Sequence, residues 1–396
     1  MNNKKPLASL GGWGKILLVV AILSVLIVSA IFIPLPVTYR TDFIMLYSAT
    51  TGLVNGIGFY DYPAQVSLLT ASLGGTITGI VIPHYVYPPW LAYSTFFLGK
   101  LSGDQAARLW FLINLLMVFG AVYLMTAGWA FRKQIVAYLL VFFFLPTLGF
   151  LTVGQYVAPV LLGTAMILSG AKAKSAGLIA TGLVLISVKP QLGVVIFLVC
   201  VGWLLINREK WQLHALIYTL VSLTILTVLA FIIDPRWPES YLATLNGFRL
   251  LSTYGVCQIC SSLSILLVQL AAGSSNTSLA NGVGLGILLL IVVWFQVRPT
   301  RDRFNLQSLV IGSLFATLFC LPYLNNYDYV LLILPALLLV ERLPDWRGLS
   351  IIALAFLLPW LGLLLGVRFG VVLGMAMSSV LLAFGMMLVD REFVDA

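Results

Sequence analysis

Residues 16–35, ILLVVAILSVLIVSAIFIPL, form an apolar run that contains no charged side chain. A helix that crosses the hydrocarbon core of a bilayer needs about 20 such residues. A transmembrane β-strand would instead alternate apolar and polar residues over about ten positions, which this run does not do. Residues 213–233, LHALIYTLVSLTILTVLAFII, also lack Asp, Glu, Lys and Arg. Both stretches therefore predict membrane-spanning α-helices.

The composition of the whole chain extends this prediction. The 396 residues are 61% hydrophobic and 9% charged, whereas soluble domains are roughly 45–50% apolar and about 25% charged. This apolar content excludes a soluble globule, a disordered chain, a coiled coil and a nucleic-acid-binding domain. We expect one all-α integral membrane domain over residues 1–396, a transmembrane helical bundle with about 12 spanning helices.

Two apolar runs decide the predicted topology. Runs 88–102 and 258–272 have a length typical of helices that lie on the membrane surface. If both lie on the outer surface, both termini share the side that carries 15 of the 22 Lys and Arg residues, and the positive-inside rule makes that side cytoplasmic. The first outer loop, 36–108, then holds juxtamembrane helices, and a second outer segment, 234–281, holds a short interfacial helix. If both runs span the membrane instead, the basic residues divide 14 to 8 between its two sides. The charge distribution is therefore compatible with both topologies.

Polar residues gather at the predicted outer ends of the helices. Asp42 follows the first apolar run, and a carboxylate there can act as a general base on a substrate hydroxyl. The alternative is a solvated loop acid that pairs with Arg40. Lys189 precedes Pro190 and would either bind a phosphate or only snorkel to the interface from a helix end. Arg108 has the same two interpretations.

Other outer polar residues also have structural and functional interpretations. Tyr87 in a Tyr-Pro-Pro element can start a helix, Gln155 can satisfy turn backbone, and Asp328 can favour a helix dipole. Each could instead contact a sugar or an acceptor. His84 has no neighbouring cluster of metal ligands. Residues 257–260, CQIC, have the spacing of a local disulfide, and the sequence leaves open whether it forms.

The outer fragments follow one another in a recognisable order. They are Thr41-Asp42-Phe43, Tyr87-Pro88-Pro89, Ala107-Arg108-Leu109-Trp110, Gly154-Gln155, Lys189-Pro190-Gln191 and Asn326-Tyr327-Asp328-Tyr329. This order, over residues 35–340, resembles the GT-C-type membrane glycosyltransferases and especially glycosyltransferase family 87, which includes polyprenyl-phosphate-mannose-dependent mannosyltransferases. The resemblance implies a catalytic Asp in the first outer loop, at Asp42, and a site on the periplasmic or equivalent face.

The function that the resemblance implies is an inverting hexosyltransferase at the outer face of the cytoplasmic membrane. It would move a mannose-like sugar from a polyprenyl-phosphate donor to a lipid or glycan acceptor. Asp42 would deprotonate the acceptor, while Lys189, Arg108 and Arg40, with Arg249 behind them, would bind the donor phosphate. The residues expected to orient the sugar or acceptor are Tyr87, Gln155, Asp328, Gln191 and His84. No metal or other cofactor is expected, because the acids are sparse, and the partners are the bilayer, the donor and the acceptor, without nucleic acid.

Two other classes of protein are weighed against this function. A transporter or flippase for a lipid-linked or envelope precursor tends to show repeats and ionisable groups near the membrane midplane, and the apolar runs are almost free of such groups. A non-catalytic scaffold needs no ordered set of outer polar residues. The sequence therefore favours an enzyme.

Overall fold

The structure is a computed structural model that describes residues 42–73, 82–254, 260–273, 277–297, 305–366 and 370–395. Its helices are α1 Phe43–Val54, α2 Tyr62–Leu73, α3 Pro89–Ser94, α4 Gly103–Thr126, α5 Phe131–Phe143, α6 Leu145–Val153, α7 Ala158–Lys172, α8 Ala176–Ile186, α9 Pro190–Asn207, α10 Lys210–Ile233, α11 Trp237–Tyr254, α12 Leu263–Ala272, α13 Thr277–Val297, α14 Leu306–Cys320, α15 Ile333–Arg342, α16 Trp346–Leu364 and α17 Gly370–Asp395. Two 3-10 helices, Phe96–Lys100 and Asn326–Leu332, complete the elements. These ranges contain no β-strand, which confirms the all-α class.

The described helices include candidates for membrane spans. Five are long and apolar enough to cross a bilayer, namely α4, α9, α10, α16 and the part Gly370–Val389 of α17. Helices α5 and α6 form a sixth candidate if this pair, bent by 62°, is one span. The predicted number of 12 spans stays a prediction, and the first predicted span, 16–35, lies outside the described residues.

The bend between α5 and α6 interrupts the run 135–150, which contains no charged side chain. Phe144 has φ −72° and ψ 118°, so the backbone leaves the helical region there. Pro146 follows in the first turn of α6, where its missing N–H and fixed φ suit the start of a new helix. The chain therefore changes direction between α5 and α6, shortly before the turn that carries Gln155.

The two short runs form short helices. Run 88–102 becomes α3 and the 3-10 helix Phe96–Lys100, which Thr95 separates. Within 258–272, the described helix α12 has 10 residues. Cys260 is disulfide-bonded, and Cys257 lies outside the described residues.

Two hydrophobic cores hold the helices together. The larger one runs from α4 to α17. Close approaches within it use glycines: a Cβ on Gly163 of α7 would lie 2.7 Å from the carbonyl oxygen of Gly182 of α8. Small residues let backbones approach in this way in membrane proteins. The second core packs α1, α3 and Tyr87 against Trp110 and Tyr156, and this core positions the polar residues discussed next.

Candidate active site

The turn between α6 and α7 places Gln155. Gly154 has φ +67°, a left-handed conformation that suits glycine, and a Cβ there would lie 2.7 Å from the Cβ of Phe43. Trp110 donates from Nε1 to the carbonyl oxygen of Gly154 at 2.8 Å. The turn is thus fixed against both α1 and α4, which determines where the Gln155 side chain begins.

Tyr156 holds the start of α1 beside this turn. Its hydroxyl donates to the backbone carbonyl of Asp42 at 2.6 Å and accepts from the backbone N–H of Leu46 at 3.2 Å. Asp42 is the N-cap residue of α1, a position where an Asp side chain usually accepts from the first turn. Here the side chain makes no capping bond. Its carboxylate has other partners instead.

The carboxylate of Asp42 is bound through one of its two oxygens. Oδ2 accepts from Nε2 of Gln155 at 2.5 Å and from the hydroxyl of Tyr327 at 3.0 Å. The Tyr327 hydroxyl itself accepts from Nε2 of Gln155 at 2.8 Å and from Nδ2 of Asn325 at 2.7 Å. Within the described residues, no hydrogen bond ends at Oδ1 of Asp42. One oxygen of this partly buried carboxylate is therefore available to a substrate.

A buried ion pair lies directly behind Gln155. Nζ of Lys189, the residue before α9, is 2.6 Å from Oδ1 of Asp328, and both side chains are 2% exposed. The same ammonium donates to Oε1 of Gln155 at 3.3 Å and lies 5.1 Å from the ring centre of Tyr327. The second oxygen of Asp328 accepts from the backbone N–H of Asn325 at 3.0 Å. Removing one partner of a buried pair typically destabilises a protein by about 3–5 kcal/mol.

Tyr87 is a further member of the candidate site. Burial raises the pKa of its hydroxyl, and the carboxylates of Asp328 and Asp42 raise it further. Hydrogen bonds with the side chains of Gln191 and Gln155 lower this pKa by a smaller amount. The Tyr87 hydroxyl therefore stays protonated.

The remaining residues predicted for the site have partners of their own. Nε of Arg108 lies 2.9 Å from Oδ2 of Asp104, on a partly exposed side of α4. The ring of His84 stacks on Tyr62 with 3.7 Å between the ring centres, and burial lowers the pKa of its imidazole. Arg40 lies outside the described residues.

Tyr327 and Asn325 contribute to the site although sequence reasoning did not select them. The only signal was the fragment around Asp328, in which two tyrosines flank the acid. The 3-10 helix decides between them, because it sends Tyr327 to Asp42 and turns the Tyr329 hydroxyl to the carbonyl oxygen of Ser261. A choice of this kind depends on backbone geometry that the sequence pattern does not indicate.

The arrangement gathers five separate segments, those that carry Asp42, Tyr87, Gln155, Lys189 and Asp328. A carboxylate with one held and one available oxygen suits a general base, and the surrounding amide and phenol groups suit recognition of hydroxyl-rich ligands. Comparison with known proteins gives one match: the model of glycosyltransferase family 87 matches residues 85–322, more than half of the chain. No curated protein and no solved structure matches the chain.

Proposed function

Because this chain belongs to glycosyltransferase family 87 and is a membrane glycosyltransferase, we propose that it is an inverting hexosyltransferase with a lipid-linked donor. The donor is a polyprenyl-phosphate sugar, mannose-like, and the acceptor is a hydroxyl group of a lipid or glycan. The reaction takes place at the outer face of the cytoplasmic membrane. A lipid donor suits a protein of this kind, since the polyprenyl tail stays in the bilayer while the head group enters the site.

The observation that carries this proposal is the free oxygen of Asp42. Oδ2 is held by Gln155 and Tyr327, so Oδ1 accepts the proton of the acceptor hydroxyl. The acceptor oxygen forms a bond to the anomeric carbon from the face opposite the phosphate. The bond between that carbon and the phosphate oxygen breaks, and polyprenyl phosphate leaves with the electron pair. Attack from the opposite face inverts the anomeric configuration.

The leaving phosphate needs positive charge near its developing anion. The proposal assigns this role to Arg108, whose guanidinium is partly exposed at the start of α4, and to Arg40. Lys189 is a weaker candidate because its pair with Asp328 is 2% exposed, whereas the pair of Arg108 with Asp104 is open to solvent. Tyr87 and Gln191 orient the sugar, while the amide of Gln155 binds Asp42. The proposal gives no role to His84 and needs no metal or other cofactor.

No observation favours the alternative of a transporter or flippase. Among the described residues, the charged side chains that are buried are Lys189 and Asp328. They lie at the start of α9 and in the first turn of a 3-10 helix. A transport pathway would call for ionisable groups near the middle of the spans.

The test of the proposed function is a transfer assay with the purified protein in lipid vesicles. We expect transfer of mannose from a short-chain synthetic polyprenyl phosphate donor to extracted envelope glycolipids, detected by mass spectrometry of the products. A nucleotide-linked mannose serves as the control donor and should give no product. NMR of the new glycosidic linkage should show a configuration opposite to that of the donor. Transfer from the nucleotide sugar, or a retained configuration, would contradict the proposal.

The outer location of the site predicts the result of a labelling experiment. Lys100 and Arg132 lie near opposite ends of α4, which at 24 residues is about 36 Å long. We expect Lys100→Cys to react with a membrane-impermeant thiol reagent added to intact cells, and Arg132→Cys to react only after the cells are permeabilised. Labelling of intact cells at Arg132→Cys but not at Lys100→Cys would reverse the proposed topology.

A further inference from the structure

The ion pair behind the site points to a role for Lys189 other than phosphate binding. We propose that Lys189 and Asp328 are positioning residues: together they fix the orientation of the Gln155 amide, and through it the hydrogen bonds of Asp42. This inference rests on the proposed function, in which Asp42 is the general base. It departs from the expectation that Lys189 supplies charge to the donor phosphate.

The chemistry of the three groups fixes the direction of the amide. A Lys ammonium can only donate hydrogen bonds, and an ionised carboxylate can only accept them. Nζ of Lys189, on one side of Gln155, can therefore donate only to the amide oxygen, which lies 3.3 Å away. Asp42 on the other side receives the NH₂ group at 2.5 Å. Oε1 of Gln155 also accepts from the backbone N–H of Tyr156 at 3.3 Å, so without Lys189 the amide oxygen would keep one of its two donors and lose the charged one.

The orientation of Gln155 also determines the proton of Tyr327. The Tyr327 hydroxyl accepts one hydrogen from Gln155 and one from Asn325. Because both of its lone pairs are then used, its own proton is directed to Oδ2 of Asp42 at 3.0 Å. Both donors to Asp42 thus depend on one amide orientation, and both leave Oδ1 for the acceptor.

Asp328 holds the cation that sets this orientation. It lies 2.6 Å from Nζ of Lys189 and fixes the turn that carries Tyr327 by accepting from the backbone of Asn325. The pair also offsets the unfavourable position of the Lys189 ammonium at the N-terminus of α9, because a cation there is repelled by the positive end of the helix dipole. An ammonium that is 2% exposed and paired at this distance is poorly placed to bind the donor phosphate.

The experiment separates turnover from donor affinity. The variants are Asp328→Asn, the double variant Lys189→Met/Asp328→Asn, and Gln155→Leu, and the assay gives kcat and the KM for a synthetic polyprenyl-phosphate mannose. Each should lower kcat about 10- to 100-fold, the size expected for losing hydrogen bonds to a charged group, while the donor KM stays close to wild type. Adding Gln155→Leu to the double variant should cause no further loss, because all three residues act through the same contact.

The double variant is used because either single change leaves one buried charge without its partner, which destabilises the protein. Lys172→Met is the matched control. It removes a cation from an exposed pair with Glu341 and should leave kcat and KM unchanged. Melting temperatures of all variants check that the fold is kept.

Two outcomes would overturn the positioning role. If Lys189 binds phosphate, Asp328→Asn frees its charge and should lower the donor KM with turnover kept, and the double variant should raise the KM strongly. Wild-type kcat in the double variant would also overturn the role. Failure of the proposed function is a separate result, since the wild-type protein itself would then give no transfer from the polyprenyl-phosphate donor.

Discussion

Asp42→Asn is expected to reduce sugar transfer about 10²- to 10⁴-fold, the usual contribution of general-base catalysis. The oxygen of Asn can occupy the position of Oδ2 and keep the hydrogen bonds from Gln155 and Tyr327. Its NH₂ group then replaces Oδ1, where a donor cannot take a proton from the acceptor. The variant should therefore fold and bind the donor while it loses turnover.

Asp61→Asn is the matched control for this substitution. Asp61 belongs to the same part of the chain and is exposed, and its Oδ1 accepts from the backbone N–H of Ala64 at 3.2 Å, a bond that Asn can keep. Transfer rates, donor binding and melting temperatures are measured for both variants. Near-normal transfer by Asp42→Asn would remove Asp42 as the base, and Asp328 would be the next carboxylate to test.

Gly154→Ala is expected to destabilise the protein and to reduce transfer together. A left-handed conformation costs a non-glycine residue roughly 1–2 kcal/mol. The added Cβ would lie 2.7 Å from the Cβ of Phe43, and overpacking of this kind costs about 1–3 kcal/mol more. Relief of the overlap moves Gln155, and a displacement of about 1 Å can cost about 10²-fold in rate.

Gly56→Ala separates the two causes. Gly56 has φ +74°, and a Cβ there would meet nothing within 4 Å. This control should show the conformational cost alone, with a smaller fall in melting temperature and a normal transfer rate. Equal effects of the two substitutions on melting temperature and rate would show that the contact between Gly154 and Phe43 does not position Gln155.

The sequence was sufficient to predict the fold class and to select four polar residues that lie together in the structure. Apolar runs of spanning length predicted the all-α class, and polar residues at the outer helix ends pointed to Asp42, Gln155, Lys189 and Asp328. The structure joins these four side chains in one hydrogen-bonded network. The sequence could single them out because polar groups at the ends of apolar helices are few, and their roles stay a prediction.

The partner of each polar residue could not be predicted in the same way. Lys189 had two interpretations, and neither included an ion pair with Asp328, which lies 139 residues away. That pair depends on the 3-10 geometry after Asn325, and the position of Gln155 depends on the left-handed Gly154. The break at Phe144 could not be predicted for a similar reason, because hydrophobicity continues through it while the helix does not. In each case the local backbone geometry determines the contact, and the hydrophobic periodicity of the sequence does not predict that geometry.

The contact between Asp42 and Tyr327 has a consequence for biosynthesis. The two residues are 285 positions apart, and a ribosome that adds about 5–20 residues per second needs about 15–60 s to cover that interval. During this time the nascent chain can already contain Asp42, Gln155 and Lys189, but it lacks the segment that orders them. Translation order thus leaves Asp42 without its contact to Tyr327 until the late segment is made, so the proposed base is organised only near the end of synthesis.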